Sequence, residues 1–306
     1  MAIIVFGSAN VDISVDVEAL PRSGETVHCS DCRIGLGGKG VNQAVAASRL
    51  SESSVMFVGA IGTDHFGSIV EGELERLGIS TTGIRLDPVN PTGVALIHVD
   101  KMGSNSITVS GGANLCWTKS DISELSFDGI SVGLCQLETP LAETFEVLKQ
   151  MSAAGGITIL DPTPVPLSGI DEIYTAVDVL TPNQQEAERL LNRKIENPTD
   201  AVKGAVTLCN QGGLRAAIIT MGESGIAFSE DAKTGVWLPA FEVNAVDTVA
   251  AGDCFNGALA AFLSAGATMR ESISFAMAAS ALSVTTTGAA DSMPSLSTVK
   301  KFLENR

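Results

Sequence analysis

Gly133-Leu-Cys-Gln-Leu137 and Ile157-Thr-Ile-Leu160 are two short apolar runs, and the apolar residues between them recur at helical spacing. Those residues are Leu141, Phe145, Leu148 and Met151. A strand, a helix and a strand in this order predict a βαβ unit, whose two strands lie parallel in one sheet. Similar apolar runs occur at 2–6, 55–58, 177–180 and 216–220. The chain is therefore predicted to be an α/β protein, with a doubly wound, mostly parallel sheet and helices on both faces.

Two stretches, 11–34 and 92–110, interrupt this alternation. Polar and apolar residues alternate in the first stretch, and in the second two apolar runs flank Lys101-Met-Gly-Ser-Asn105, which predicts a β-hairpin. We expect both stretches to form a small β-sheet lid that stands off the main sheet. Because no repeat or linker divides the sequence, we expect a single domain over 1–306 that includes this lid.

The chain has 306 residues, of which 45% are apolar and 18% charged, a composition typical of a globular domain. Its basic and acidic residues give a net charge of 19 − 35 = −16 at pH 7, which disfavours nucleic acid and anionic membrane surfaces as partners. The N-terminal sequence lacks the basic region of a signal peptide, and the six scattered cysteines are expected to be reduced thiols. We therefore expect a cytoplasmic protein.

The segment Gly35-Leu-Gly-Gly-Lys39-Gly-Val-Asn42 opens a predicted helix at 41–50. Backbone rich in glycine can approach a ligand closely, and a helix N-terminus offers free N–H groups to an anion. The glycines also fit G-x-G-x-x-G, but the residues before them are short and polar, which argues against a dinucleotide site. A tight turn onto a helix would explain the glycines alone. Lys39 and Asn42, which a turn does not need, favour a ligand.

A second segment, Asn244-Ala-Val-Asp-Thr-Val-Ala-Ala-Gly-Asp253, precedes an apolar helix. Ala250, Ala251 and Gly252 have minimal side chains at the helix start, so their amides can surround an anion such as a transferring phosphoryl group. Asp253, beside that anion, could accept a proton from an attacking hydroxyl. The alternative is that Asp253 is only a favourable residue for the first turn of a helix.

Polar residues follow several other predicted strands. In Thr181-Pro-Asn183-Gln-Gln-Glu186, the Asn and the Glu share one face of a first helical turn, where a carboxylate could hold a hydrated Mg²⁺ or simply cap the helix. Thr220-Met-Gly222-Glu-Ser-Gly225 could carry a nucleotide or form a tight hairpin. Strand ends elsewhere carry Asn10, Asp12 and Glu138. Carboxylate and amide groups gathered at strand ends suit a polyol.

Two of these segments resemble the signatures of a known family. Gly37-Gly-Lys-Gly-Val-Asn-Gln-Ala-Val-Ala-Ala47 and Asp247-Thr-Val-Ala-Ala-Gly-Asp253 are similar to the two motifs of the PfkB carbohydrate kinases, and the similarity runs from Val5 to about Leu303. The resemblance implies an ATP- and Mg²⁺-dependent sugar kinase that phosphorylates the primary 5-hydroxyl of D-ribose. It also implies a lid that forms the contact of a homodimer.

The resemblance further implies roles for individual residues. Asp253 matches the catalytic base, and the amides of Ala250, Ala251 and Gly252 match the anion hole. The sugar positions are Asn10, Asp12, Gly38, Lys39, Asn42 and Glu138. The nucleotide positions are Asn183, Thr220, Gly222, Gly225 and Gly252, and Glu186 matches a residue tied indirectly to Mg²⁺. An activating K⁺ would lie at Asp247, Val249, Ser283, Thr286, Gly288 and Ser292, largely on backbone carbonyls.

Three other functions stay open at this point. The first is another kinase of the same family, acting on 2-deoxyribose, a nucleoside or another furanose. The second is a non-catalytic sugar-binding regulator, against which the presence of Asp253, Gly252 and Glu186 argues. A dinucleotide-binding oxidoreductase comes last. The natural sugar, the nucleotide donor, the monovalent cation and the oligomeric state also stay open.

Overall fold

Two β-sheets organise the computed structural model of the chain, which describes residues 2–102, 105–167, 169–170 and 172–305. The strands of these ranges are β1 (Ala2–Phe6), β2 (Asn10–Val17), β3 (Asp31–Gly37), β4 (Ser54–Gly62), β5 (Ser80–Asp87), β6 (Gly93–Asp100), β7 (Asn105–Ser110), β8 (Ile130–Cys135), β9 (Ile157–Leu160), β10 (Val179–Leu180), β11 (Ala216–Thr220), β12 (Gly225–Ser229) and β13 (Val236–Pro239). The α-helices are α1 (Lys39–Leu50), α2 (His65–Arg76), α3 (Lys119–Ser123), α4 (Leu141–Ala153), α5 (Gln184–Leu191), α6 (Pro198–Gly212), α7 (Ala251–Ser264), α8 (Met269–Ser283) and α9 (Leu296–Glu304).

The main sheet has nine strands in the order β13-β12-β11-β10-β9-β8-β1-β4-β5. Its strands pair in parallel from β5 to β11, and β12 and β13 are added antiparallel at one edge. The predicted doubly wound, mostly parallel α/β sheet is confirmed. Because β1 pairs with β4 on one side and with β8 on the other, the strand order reverses at β1, which opens a crevice at its carboxyl end.

Alternate residues of β1 face two separate hydrophobic cores. Ile3 and Val5 belong to the core that also holds residues of α1, α7 and α8, whereas Ile4 and Phe6 belong to the core with residues of α4 and α6. All four side chains are buried. Helices on both faces therefore explain why the central strands read as continuous apolar runs in the sequence.

The smaller sheet has the strand order β3-β2-β6-β7. It begins at Asn10, shortly after β1 ends, and Asn10 pairs there with Gly37 and Gly93. Strands β6 and β7 form the predicted hairpin, although residues 103 and 104 of its turn lie outside the described residues. A separate small sheet beside the main one is therefore confirmed, with irregular backbone at 18–30 between its first two strands.

Some predicted boundaries were wrong. The strand expected at 133–137 runs from Ile130 to Cys135, because Leu137 has left the ladder and donates its amide to the carbonyl of Thr163 (3.0 Å). The strand expected at 177–180 is only Val179–Leu180. Strands β5, β12 and β13 were not predicted, since their sequences are short or rich in polar residues. In the described ranges no helix is long and apolar enough to cross a membrane.

Candidate active site

Polar side chains follow four neighbouring parallel strands of the main sheet. Asn10 follows β1, Glu138 follows β8, Asp161 follows β9 and Asn183 follows β10. The N-terminus of α1 begins beside them at Lys39, and α1 packs along α7. Since the carboxyl ends of parallel strands meet at one edge of a sheet, these residues line the crevice that the reversal of strand order creates.

The glycine segment before α1 lets the smaller sheet approach β1 closely. Gly38 has φ 87°, and a Cβ atom there would lie 2.8 Å from the carbonyl oxygen of Ser8. A Cβ atom on Gly37 would lie 1.8 Å from Oδ1 of Asp12. The segment is therefore a tight turn onto a helix, which was the simpler of the two interpretations of its glycines. Because glycine has no side chain, the segment also leaves the space that the Asp12 carboxylate occupies.

The predicted sugar residues gather around the start of α1. Oε2 of Glu138 accepts hydrogen bonds from the Lys39 amide (3.2 Å) and from the Ser8 hydroxyl. Asn10 is buried, and its Oδ1 accepts from Nδ2 of Asn114 (2.9 Å). Ser8 and Asn114 had no distinct signal in the sequence. Both hold a predicted sugar residue in place.

Asp253 lies in the first turn of α7 with a side chain that is only 5% exposed. Its Oδ1 accepts from Nε2 of Gln43 (3.0 Å) and from Nζ of Lys39 (3.5 Å), and its Oδ2 accepts from Nδ2 of Asn42 (3.1 Å). Residues 39, 42 and 43 share one face of a helix because they are three and four positions apart. One face of α1 therefore holds the predicted base of α7.

Asp161 is a buried carboxylate that the sequence interpretation missed. Its Oδ2 accepts from Nε2 of Gln43 (2.8 Å) and Nζ of Lys39 (3.5 Å), and its Oδ1 accepts from the Thr163 hydroxyl (2.7 Å). The same hydroxyl contacts Glu186. Asp161 directly follows the predicted strand 157–160, just as Glu138 directly follows the predicted strand 133–137. The rule that selected Glu138 would therefore also have selected Asp161.

The carboxylates of the site shift one another's ionisation. Burial, followed by the charges of Glu138 and Asp253, raises the pKa of Asp12 to about 6. Burial also raises the pKa of Asp161 to about 6, although Lys39 opposes this. Burial alone would lower the pKa of the Lys39 ammonium, but the carboxylates around it, led by Asp161 and Asp253, raise it above its ordinary value. Lys39 therefore remains a cation at the centre of the site.

The start of α7 presents amide groups to the same crevice. Ala250 has φ 58°, a left-handed conformation that is uncommon for a residue with a side chain. Among the described residues, the amides of Ala250 and Gly252 have no backbone partner, whereas the Ala251 amide donates to the carbonyl of Thr248 (3.3 Å). The predicted anion hole thus has two free donors and a third that is held in a long hydrogen bond.

The predicted nucleotide residues lie at the next strand ends. Oδ1 of Asn183 accepts from the Glu186 amide (3.0 Å), and Oε2 of Glu186 accepts from the Asn183 amide (2.8 Å), so the pair caps α5. Thr220 forms an isolated bridge with Asn183. Gly222 and Gly225 belong to the turn between β11 and β12, which is a tight hairpin.

The predicted cation residues lie on the loop before α7, at the end of α8 and on the segment that follows α8. The Asp247 carboxylate accepts from the amides of Val249 (3.0 Å) and Gly288 (2.9 Å), which ties the loop before α7 to the loop after α8. The amide of Thr286 donates to the carbonyl of Ser283 (3.1 Å). Ser292 donates its hydroxyl to the carbonyl of Ala289 (2.8 Å) and makes no described contact with Asp247.

A buried carboxylate beside a helix N-terminus is an arrangement that suits phosphoryl transfer to a hydroxyl group. A family model described as "pfkB family carbohydrate kinase" matches residues 2–296. The chain belongs to the pfkB family of carbohydrate kinases.

Its relatives include proteins of two sugar specificities. The chain is 36% identical over 304 residues to a ribokinase of Haemophilus influenzae, which covers 98% of each chain. It is 34% identical over 306 residues to a deoxyribokinase of Salmonella typhi, which covers 99% of each. Among solved structures, that of Arabidopsis thaliana ribokinase complexed with ribose and ATP has a TM-score of 0.88 at 31% identity and covers 99% of each chain.

Proposed function

We propose that this protein is an ATP-dependent kinase that phosphorylates the primary 5-hydroxyl of D-ribose. The observation that carries the proposal is Asp253, a buried carboxylate at the start of α7 that three residues of α1 hold in place. The similar Arabidopsis protein was solved with ribose and ATP, which supports the same pair of substrates here.

In this mechanism Asp253 accepts the proton of the 5-hydroxyl as the sugar oxygen attacks the γ-phosphorus of ATP. The bond from that phosphorus to the bridging oxygen breaks, and ADP leaves. Because the transition state is loose, catalysis depends mainly on positioning and on stabilisation of charge. The amides of Ala250 and Gly252 suit the phosphoryl oxygens, and the Ala251 amide can join them by leaving Thr248.

The sugar would bind between the smaller sheet and α1. Asp12, Asn10 and Glu138 supply acceptors for its hydroxyls, and the Gly38 segment permits a close approach. Oδ1 of Asn42 is a buried oxygen with no partner in the described part of the chain. Such an oxygen costs free energy unless a ligand supplies a donor, and a sugar hydroxyl is a donor of the right kind.

The nucleotide would lie along the ends of β10 and β11. Asn183 and Thr220 are adjacent there, and the turn at Gly222 is exposed beside them, whereas Gly225 is buried at the start of β12. Glu186 uses one carboxylate oxygen on the Asn183 amide and the other on Thr163. This fits an indirect role towards Mg²⁺ through bound water, and Mg²⁺ would supply charge neutralisation on the phosphates.

A monovalent cation would lie between the two loops that Asp247 joins. Asp247 offers a carboxylate, and the loops offer backbone carbonyls, which are the hard oxygen ligands that K⁺ prefers. The loop at 247–249 leads directly into Ala250, so the cation would add to the positive field at the anion hole without touching the substrates. This supports K⁺ as an activator.

The smaller sheet would close over the sugar and exclude water, which otherwise competes as the phosphoryl acceptor. Asp12 lies beside Gly35 and Ala95 in this sheet. These neighbours have small side chains or none, so the Asp12 carboxylate is accessible on its face of the sheet, which supports this role. We also propose that the lids of two chains form a homodimer, and that the protein acts in the cytoplasm without nucleic acid or membrane partners.

The second candidate is a kinase of 2-deoxyribose. The deoxyribokinase relative is nearly as similar to this chain as the ribokinase relatives are, and that similarity favours testing both sugars. Several acceptors facing the sugar favour ribose, because a site built to bond a hydroxyl rejects the analogue that lacks it.

The first test measures coupled ADP release with ATP and Mg²⁺ against ribose, 2-deoxyribose, fructose and ribonucleosides, each in K⁺ and in Na⁺. We expect the highest kcat/KM on ribose and stimulation by K⁺. Faster turnover of 2-deoxyribose would change the assigned substrate to that sugar but leave the proposed mechanism unchanged. Tight ATP binding with no turnover on any sugar would instead support a regulatory protein.

The same assay tests the base. Asp253→Asn should lower kcat by at least ~10²-fold, the lower end for loss of a general base. Asp200→Asn, at a half-buried first-turn aspartate of α6, is the matched control and should keep the wild-type rate. A near wild-type rate in Asp253→Asn would show that Asp253 is not the general base.

A further inference from the structure

Gln43 is a fully buried amide between two buried carboxylates, and it is one of the three residues of α1 that hold Asp253. Its Nε2 donates to Oδ2 of Asp161 (2.8 Å) and to Oδ1 of Asp253 (3.0 Å). Its Oε1 accepts from Nε2 of Gln136 (2.6 Å). The two contacts with the carboxylates lie within the ordinary range for N–H···O hydrogen bonds, and the contact with Gln136 is slightly shorter.

These contacts fix which way the amide points. An amide nitrogen has two protons, and here each is directed at a different carboxylate. The flipped amide would place its oxygen against both carboxylates and its nitrogen against the nitrogen of Gln136. The contact with the carboxylates would be repulsive, because ionised carboxylates only accept, so these two groups fix the observed orientation. Gln136 supports it by donating to Gln43, although among the described residues its own Oε1 is buried without a partner.

The donors around Asp253 are unevenly shared between its two oxygens. Within the described ranges, Oδ1 accepts from two donors, Gln43 and Lys39, whereas Oδ2 accepts from Asn42 alone, at 3.1 Å. A carboxylate oxygen can accept at least two hydrogen bonds. Oδ2 therefore retains acceptor capacity, which an incoming hydroxyl could use.

We propose that Gln43, supported by Gln136, is a positioning residue that holds Asp253 with Oδ2 free to receive the sugar proton. The inference rests on the proposed kinase function. Asp253 interacts electrostatically with four titratable groups: Lys39 of α1, Asp12 of β2, Asp161 after β9 and the Cys254 thiol of α7 itself. Two of these groups are like charges, so a neutral donor beside Asp253 offsets part of their repulsion.

The test is Gln43→Met, which preserves approximate size but removes both N–H donors. We expect the single-turnover rate at saturating ribose and ATP to fall ~10- to 100-fold, because small displacements of a reacting group cost up to ~10²-fold. The KM values should change by less than about threefold, since Gln43 touches neither proposed substrate. The acidic limb of the pH–rate profile should also move to higher pH, because Gln43→Met removes a hydrogen bond to the ionised form of the base.

Gln136→Met is the second variant, and it leaves the Gln43 side chain in place. It should produce a smaller change in the same direction. Gln211→Met, at an exposed glutamine near the end of α6, is the matched control and should change neither rate nor pH profile. If Gln43→Met does not fold, as judged by thermal denaturation, Gln136→Met decides alone.

Two outcomes would overturn the inference while leaving the kinase function intact. One is a Gln43→Met enzyme with a rate within twofold of wild type. The other is a reduced rate with the acidic limb unmoved, which would mean that Gln43 only supports the fold. Failure of the proposed function is separate, because wild-type protein would then phosphorylate no sugar.

Discussion

The burial of Asp12 places an acceptor in the proposed sugar site but lowers the free energy of unfolding when the carboxylate is ionised. Burial, then Glu138 and Asp253, raises its pKa from 3.8 to about 6. Between these two values the folded state binds more protons than the unfolded state, so the free energy of unfolding falls as pH rises through this window. Above about pH 6 the folded protein carries the full cost of this ionised carboxylate. Acceptors poised for a ligand often cost stability in this way.

Asp12→Asn should therefore raise the melting temperature at pH 8 by more than it does at pH 5. It should also raise the KM for ribose, because the amide replaces an acceptor oxygen. The measurement is thermal denaturation at both values of pH. The control is Asp87→Asn, which should change the melting temperature in the opposite direction. Hydrogen bonds from the amides of Asn90 and Val89 lower the pKa of Asp87 to about 2, so its variant should lose stability at pH 8. An equal gain for Asp12→Asn at both values of pH would contradict the argument.

At the scale of elements, the junction between β3 and α1 positions three groups that contact Asp253. That junction turns at Gly38, where φ is 87° and a Cβ atom would press on the backbone of Ser8 and Asn10. Residues Lys39, Asn42 and Gln43 follow on one face of the helix. A shift at the junction would therefore move all three contacts together.

Gly38→Ala should lower the free energy of unfolding by about 2 kcal/mol or more, since alanine adds both strain at positive φ and a steric clash. It should also lower kcat, because α1 would move relative to α7. Gly72→Ala is the matched control: Gly72 lies inside α2 with open space around it, so alanine should stabilise by roughly 0.5–1 kcal/mol. Chemical denaturation measures both variants. If Gly38→Ala and Gly72→Ala changed the free energy of unfolding equally, a side chain at position 38 would not strain the junction.

At the scale of the whole molecule, the smaller sheet presents an apolar row on one face. Ile34 of β3, Ile13 of β2 and Leu96 of β6 are direct register partners, and Ile34 and Leu96 are 58% and 44% exposed. Each chain carries a net charge of −16, so association of two copies needs an uncharged contact of this kind. The row supports the proposed lid dimer.

The double variant Ile34→Lys/Leu96→Lys should shift the mass measured by sedimentation equilibrium from two chains towards one. Val89→Lys/Leu167→Lys adds the same charge at two exposed apolar residues outside the smaller sheet, and it should remain dimeric. A wild-type protein that is a monomer at micromolar concentration would exclude the dimer. Dissociation of both double variants would point to charge alone and not to this row.

Much of the fold and site could be predicted from the sequence, because the relevant signals are local. Continuous apolar runs such as Ala2–Phe6 identify strands buried on both faces, and the paired motifs around Lys39 and Asp253 identify the helix starts. The polar residues at strand ends were found by the same local rule. Edge strands such as β5 were missed, since a strand covered on one side carries no continuous apolar run.

By itself, the sequence determined the α/β class, the alternation of strands and helices, and the residue types available for proton and phosphate chemistry. Only the tertiary structure decided that Gln43 bridges Asp161 and Asp253, and that Thr163 joins Asp161 to Glu186. These residues come from different strand ends and helices, up to 210 positions apart for Gln43 and Asp253. Their contacts depend on the order of strands in the sheet and on how α1 packs on α7, which no local pattern of residues specifies.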